Sequence, residues 1–109
     1  MAVLHVINSS NWKDFFNENL TYVMFSKSGC KQCEILESSL EKVNINREIV
    51  MSKLVLDNPG FAELKRKYRW ISNIDVLPYN AIVSKGRLIE SWSGADLSIA
   101  ITKLNGKKI

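Results

Sequence analysis

No stretch of this sequence approaches the run of about 18 apolar residues that a membrane-spanning helix needs, so no membrane segment is expected. The first residues, Met1-Ala2-Val3-Leu4-His5-Val6-Ile7, have no positively charged region and no small-residue cleavage site. They do not read as a signal peptide, and the cytoplasm is the default expectation. Histidine occurs once and cysteine twice. Zinc takes four ligands, and only His5 could add a third, from a strand not expected near the cysteines; a shared metal would need a dimer. No metal and no cofactor is expected, and a monomer is. Repeats, low-complexity segments and an interdomain linker are missing, so residues 1–109 read as one domain. Charge of one sign is not concentrated either. The net charge is +4, and Lys65-Arg66-Lys67 with Arg69, and Lys107-Lys108, read as a solvated helix face and a tail. No nucleic-acid motif accompanies them, so nucleic acid is not an expected partner.

What is present is an ordinary globular composition, 46% hydrophobic and 24% charged, with its chemistry concentrated in residues 20–36. An apolar strand runs into a short polar turn, and the turn delivers Cys30 and Cys33 to the start of a helix. At helical spacing their Cα atoms lie roughly 5 Å apart, inside the window for an unstrained disulfide. The unpaired N–H groups and positive dipole end of the helix favour a thiolate there. In a reducing compartment such a pair is catalytic, redox-sensing or metal-binding before it is a structural staple. The bland alternative is two small buried thiols that happen to lie close.

The remaining elements follow from apolar periodicity. Residues 2–7 read as a buried strand. Trp12, Phe15, Phe16 and Leu20 place a short amphipathic helix over residues 10–18. Residues 21–26 form the second strand, with Thr21, Val23 and Phe25 on one face and Tyr22 and Met24 on the other. The cysteine helix runs to about residue 44, with Leu36, Leu40 and Val43 as its core stripe, Ile35 alongside, and Glu34, Glu37 and Glu41 facing water. Residues 49–56 are a third strand. Asn58 and Pro59 predict the start of a third helix, as N-cap and first helical residue, and Phe61, Leu64 and Tyr68 give it a buried side. Residues 70–76 are irregular. Residues 79–83 and 87–92 form a hairpin across Ser84-Lys85-Gly86. Ser93 is the expected N-cap of a last helix, with Leu97, Ala100, Ile101 and Leu104 facing the core. The order βαβαβαββα implies an α/β fold, a five-stranded mixed sheet with four helices on its two faces.

Taken together, these residues resemble a thioredoxin over essentially the whole chain. The resemblance rests on Phe25 five residues before Cys30, on Cys30-Lys31-Gln32-Cys33 opening a helix, and on Lys53-Leu54-Val55-Leu56-Asp57-Asn58-Pro59 with the turn after it. Lys67-Tyr68, Leu77-Pro78 and the later Lys-Gly turn and Ser-Gly-Ala complete it. It implies a thioredoxin fold and thiol–disulfide oxidoreductase activity. Cys30 would be the exposed nucleophile and Cys33 the buried resolving thiol. Pro78 would be cis, the Leu77 backbone would pair with an extended substrate chain, and Gly94 and Trp70 would border the same groove. Disulfide-containing proteins would be the substrates, with a reductase or a low-molecular-weight thiol as electron donor.

The departures from the family pattern are local. Gly29 stands where the family usually has Trp, and Lys31-Gln32 replace Gly-Pro between the cysteines. Met24 aligns with the family's buried aspartate, whereas Lys53, that aspartate's usual partner, is retained. Lys27 and Lys31 favour a Cys30 thiolate and Glu34 and Glu37 oppose it, so Lys31, Gln32 and Lys53 are the expected tuners of the pair. Two other functions fit the residues. One is a glutaredoxin-like reductase, because Ser93-Gly94-Ala95-Asp96-Leu97 faintly resembles that family's glycine–acid loop. The other is an adaptor of the same fold with a vestigial dithiol.

Overall fold

A computed structural model of the chain describes residues 3–107. Ala2, in the expected first strand, and Lys108, in the expected basic tail, lie outside the described residues. The elements are β1 (His5–Val6), α1 (Trp12–Phe16), β2 (Thr21–Ser26), α2 (Lys31–Glu41), β3 (Val50–Val55), α3 (Ala62–Lys67), a 3-10 turn (Arg69–Asn73), β4 (Tyr79–Ser84), β5 (Arg87–Ser93) and α4 (Leu97–Asn105). The strands form one sheet in the order β1-β3-β2-β4-β5. β1 and β2 run parallel to β3, while β4 is antiparallel to both β2 and β5. This is the mixed five-stranded sheet with four helices implied by the element order.

β2 sits at the centre because all six of its residues are buried. Alternation along it feeds two cores. Tyr22 and Met24 join Cys33, Leu36 and Leu40 of α2 and Ala100 and Leu104 of α4 on one face. Val23 and Phe25 join Trp12 and Phe16 of α1 and Leu64 and Tyr68 around α3 on the other. The face assignments read from the sequence therefore hold.

Several boundaries differ from expectation, each for a local reason. The first strand is two residues long and both are exposed, because β1 is the sheet edge; only Leu4 and Ile7 beside it are buried. α1 begins late because residues 8–11 form a turn of their own. The Asn8 side chain accepts from the Ser10 and Asn11 N–H groups at 2.8 and 3.0 Å, and Asn11 Oδ1 accepts from the Asn8 N–H at 2.7 Å. The helix of residues 30–44 ends at Glu41, leaving Val43 half-buried beyond it, and Ile35 points outward at 54% exposure. Asn58 and Pro59 do not start α3. Gly60 has φ +95, and a Cβ there would lie 2.6 Å from Cβ of Ser9. The turn thus packs against the 8–11 segment and the helix begins only after Phe61. Ser93 remains in β5, and the N-cap of α4 is Asp96, which accepts from the Ser98 and Ile99 N–H groups.

The β4–β5 turn falls where expected but is one residue shorter, because Ser84 still belongs to β4 and pairs with Arg87. Lys85 and Gly86 both have positive φ, +48 and +82, the pairing a two-residue hairpin turn requires. Lys85 N–H donates to the Glu18 carbonyl and Gly86 N–H to the Phe16 carbonyl, so the hairpin is docked on the end of α1. Phe16 itself is fully buried and stacked on Tyr68 with centroids 4.9 Å apart. Phe16→Ala should therefore cost about 3–5 kcal/mol, measured by urea denaturation. A loss under about 1 kcal/mol would mean that this side chain does not anchor the second core.

Candidate functional site

The β2–α2 junction carries the chemistry. β2 ends at Ser26, and the turn after it uses Gly29 at φ +78 to reverse the chain into α2. Cys30 is the N-cap residue of α2 with extended backbone (φ −82, ψ 103), and its Sγ accepts the Cys33 N–H at 3.2 Å. An N-cap sulfur that receives a backbone N–H is held where a developing thiolate is stabilised. Cys30 and Cys33 are joined by a disulfide, with Cα atoms 5.3 Å apart, close to the separation expected from helical spacing. The two sulfurs differ in access: Cys30 is half-exposed, while Cys33 is 3% exposed and sits within the core of Tyr22, Met24 and Leu36.

The Leu77–Pro78 peptide is cis. Pro78 is buried and Leu77 half-buried, and Leu77 packs on the Cys33 core together with Cys30, Trp92, Ala95 and Leu97. Gly94, at φ +105, donates its N–H to the Pro78 carbonyl at 2.9 Å. A Cβ on Gly94 would meet nothing within 4 Å, so the position favours glycine for its backbone conformation rather than for lack of room. Cys30, Cys33, Leu77, Pro78 and Gly94 are thus gathered at one end of the sheet. Trp70 lies on the other core, edge-on to Phe25 at 5.6 Å.

Of the expected tuners, Lys31 and Gln32 are exposed in the first turn of α2, as Lys27 is in the turn before it. Lys53 is half-buried on β3 beside Met24 in the strand register. Its amine does not stay unpaired: Nζ donates to both carboxylate oxygens of Glu37, at 2.8 and 3.0 Å. Glu37, expected in water, is instead drawn onto the sheet one helical turn after Cys33. Met24 is 1% exposed and presents no proton acceptor from β2.

Two contributors escape sequence reading, and a third residue, Asp96, takes a different role from the one read. Asp57, just after β3, accepts the Ser28 N–H at 3.2 and 3.3 Å and so fixes the turn that precedes Cys30. That bond, with the charge of Lys27, holds its carboxyl below the ordinary 3.8. Tyr22 and Asn80 form a buried pair behind the cis peptide, with the phenol donating to Asn80 Oδ1 at 2.5 Å. Burial raises the Tyr22 phenol far above its ordinary value, so it remains a donor. The only sequence signal for the pair is an asparagine inside an otherwise apolar strand. Asp96, the acid of the glycine–acid loop, is engaged as the cap of α4 and also accepts from the Ser98 hydroxyl.

Solved structures with this architecture are thioredoxins. Thioredoxin f2 of Chlamydomonas reinhardtii superposes with a TM-score of 0.76 over 95% of this chain and 95% of its own, at 18% identity. The thioredoxin of Trypanosoma brucei brucei gives 0.75 over 95% and 89%, at 21% identity. Oxidised thioredoxin from Plasmodium falciparum gives 0.74 over 94% and 99%, at 19% identity. At these identities the likeness establishes the fold: the chain has the thioredoxin fold that its sequence resemblance implied. No protein-family model and no curated protein matches the sequence.

The Asp57 contact makes the turn sensitive to acid. A carboxyl held below its unfolded value stabilises the folded turn at higher pH, and that contribution is lost as pH falls through the folded value. The Ser28 amide resonance should therefore titrate with a midpoint below 3.8, and the transition should vanish in Asp57→Asn. A midpoint at or above 3.8 would show that the carboxylate does not hold the turn.

Proposed function

We propose that this chain is a thiol–disulfide oxidoreductase acting on protein disulfides through Cys30 and Cys33. The observation that carries the reading is the asymmetry of the pair: a half-exposed sulfur capping α2, bonded to a buried sulfur in the core, beside a cis Leu77–Pro78 peptide.

The chemistry follows from that asymmetry. In the reduced state the Cys30 thiolate attacks one sulfur of a substrate disulfide, forming a mixed disulfide and expelling the other substrate sulfur, which takes a proton from solvent. Cys33 then loses its proton and attacks Cys30 Sγ. The Cys30–Cys33 bond forms, the mixed disulfide breaks, and the second substrate thiol leaves. Two electrons pass from the pair to the substrate, and a reductase or a low-molecular-weight thiol returns them. Run backwards, the same steps oxidise a substrate dithiol. Only Cys30 is open to an incoming sulfur, so the first attack is assigned to it and the second to Cys33. Leu77 beside the cis bond offers backbone to an extended substrate chain, and Gly29 and Gly94 leave open space around it. Lys27 and Lys31 add positive charge near Cys30 that favours its thiolate.

Met24 shapes the second step. Cys33 must lose its proton in an apolar core to which β2 supplies no acceptor, so resolution is expected to limit turnover near neutral pH. The role assigned to each sulfur is checked directly. Cys33→Ser should accumulate a covalent adduct with a disulfide-containing protein, seen on a non-reducing gel and released by excess thiol. Cys30→Ser should form no adduct and lose turnover by at least about 100-fold. If Cys30→Ser retains turnover, the assignment is wrong; if the unaltered protein turns over no protein disulfide in either direction, the adaptor reading replaces it.

A further inference from the structure

Asn80 is fully buried on β4, two residues after the cis proline, and every bond its side chain makes leads away from its own strand. Its Nδ2 donates to the carbonyls of Trp92 and Gly94, at 3.1 and 3.0 Å. Its Oδ1 accepts from the Tyr22 hydroxyl of β2. Tyr22 is also fully buried, and lies in the core that contains Cys33. One side-chain amide thus ties the central strand to the end of β5 and to the loop after it. Trp92 Nε1 is buried with no partner among the described residues, so this stretch is held by its backbone carbonyls rather than by the indole N–H. The Gly94 N–H closes the loop by donating to Pro78.

The arrangement costs more than an apolar one. A buried amide and a buried phenol are tolerated only while their bonds are made. A leucine and a phenylalanine at these positions would fill similar space without that penalty. What the polar pair adds is direction: its three bonds tie Tyr22 of β2 to the Trp92 and Gly94 carbonyls, and the Gly94 N–H in turn donates to the Pro78 carbonyl.

We propose that Asn80 and Tyr22 are positioning residues for the recognition of protein substrates: together they hold the Pro78 and Gly94 backbone in the geometry that an extended substrate chain pairs with. The proposal rests on the oxidoreductase reading above. A small disulfide needs only Cys30, whereas a protein disulfide also needs the groove. Loosening the Gly94 segment therefore weakens productive binding of the protein and leaves the sulfur chemistry alone.

The experiment compares two substrates, insulin and hydroxyethyl disulfide, with the unaltered chain and with Tyr22→Phe/Asn80→Leu, which removes the phenol and the amide together so that neither is left buried without the other, and frees the Trp92 and Gly94 carbonyls. The expected result is a rise of about tenfold in KM for insulin, the equivalent of one or two lost hydrogen bonds, with kcat nearly constant. Turnover of hydroxyethyl disulfide and the reduction potential of the Cys30–Cys33 pair should stay within about twofold and within experimental error, respectively. The Gly94 amide should exchange with solvent faster in the variant. If that variant folds poorly, Tyr22→Phe/Asn80→Val, with a strand-favouring side chain, should give the same split. An insulin KM within twofold of the original, or equal losses on both substrates, would overturn the positioning role. A chain that reduces neither substrate before any substitution would overturn the oxidoreductase reading itself, a result distinct from the first.

Discussion

Burial of β2 on both faces is the constraint on which the rest depends. A strand with six buried residues needs a hydrogen-bonded neighbour on each side and a helical layer on each face. β3 supplies the parallel neighbour, which requires α2 as a crossover; β4 supplies the antiparallel one. The crossover must start where β2 ends, so the turn of residues 27–29 necessarily opens at the end of the sheet. Cys30 occupies that opening as a helix cap, and Cys33 is carried one turn into the core by the same helix. The half-exposed and buried characters of the two sulfurs are consequences of sheet topology before they are properties of the cysteines.

Sequence reading reaches what is local and periodic. The alternation along β2, the Cys30–Cys33 spacing and the hairpin around Lys85-Gly86 each depend on residues within a few positions of one another, and each appears in the structure where the pattern places it. The misplaced boundaries are competitions between two local signals that tertiary contact decides. Asn58-Pro59 is a sound helix start, yet packing of Gly60 against Ser9 moves the start to Ala62. Ser93 with Asp96 resembles a capping box, but Ser93 is still paired with Tyr79 in the sheet, so the cap passes to Asp96. Glu37 has the spacing of a solvated residue and is drawn inward by Lys53, a partner 16 positions away. The Tyr22–Asn80 bond spans 58 positions and no periodicity encodes it. Such a pair becomes visible only when β2 and β4 are known to be neighbours.

The charges near the dithiol are arranged to order the backbone as much as to act on sulfur. Asp57 is spent on the Ser28 N–H and Asp96 on the first turn of α4, and both are held ionised by those bonds. Glu90 on β5 is likewise engaged, by Lys103 and Lys107 at the far end of α4. Asp57, Asp96 and Glu90 are therefore committed, whereas Glu34 is exposed in the first turn of α2. Lys27 and Lys31 remain in the turn and at the helix start, exposed and screened by solvent. The one directed contact on the Cys30 sulfur besides the disulfide is the Cys33 N–H.

The strand position of Met24 connects these observations. Met24 lies between Lys53 on β3 and Asn80 on β4 in the register of the sheet. A carboxylate there would have faced the Lys53 amine from the interior. With methionine in that place the lysine turns to Glu37 of α2, and the ion pair moves to the half-buried edge of the core. Such a pair contributes about 1 kcal/mol or less to stability, but it settles where charge sits: outside the apolar cluster that holds Cys33. Inside, the buried side-chain polarity near the sheet centre is neutral, Ser52 on the Tyr22 carbonyl and the Tyr22–Asn80 pair, whose bonds run toward Trp92 and Gly94. The chain has thus separated two tasks. The ion pair near Cys33 sits between β3 and the helix, and the buried Tyr22–Asn80 pair is directed at the Trp92 and Gly94 carbonyls.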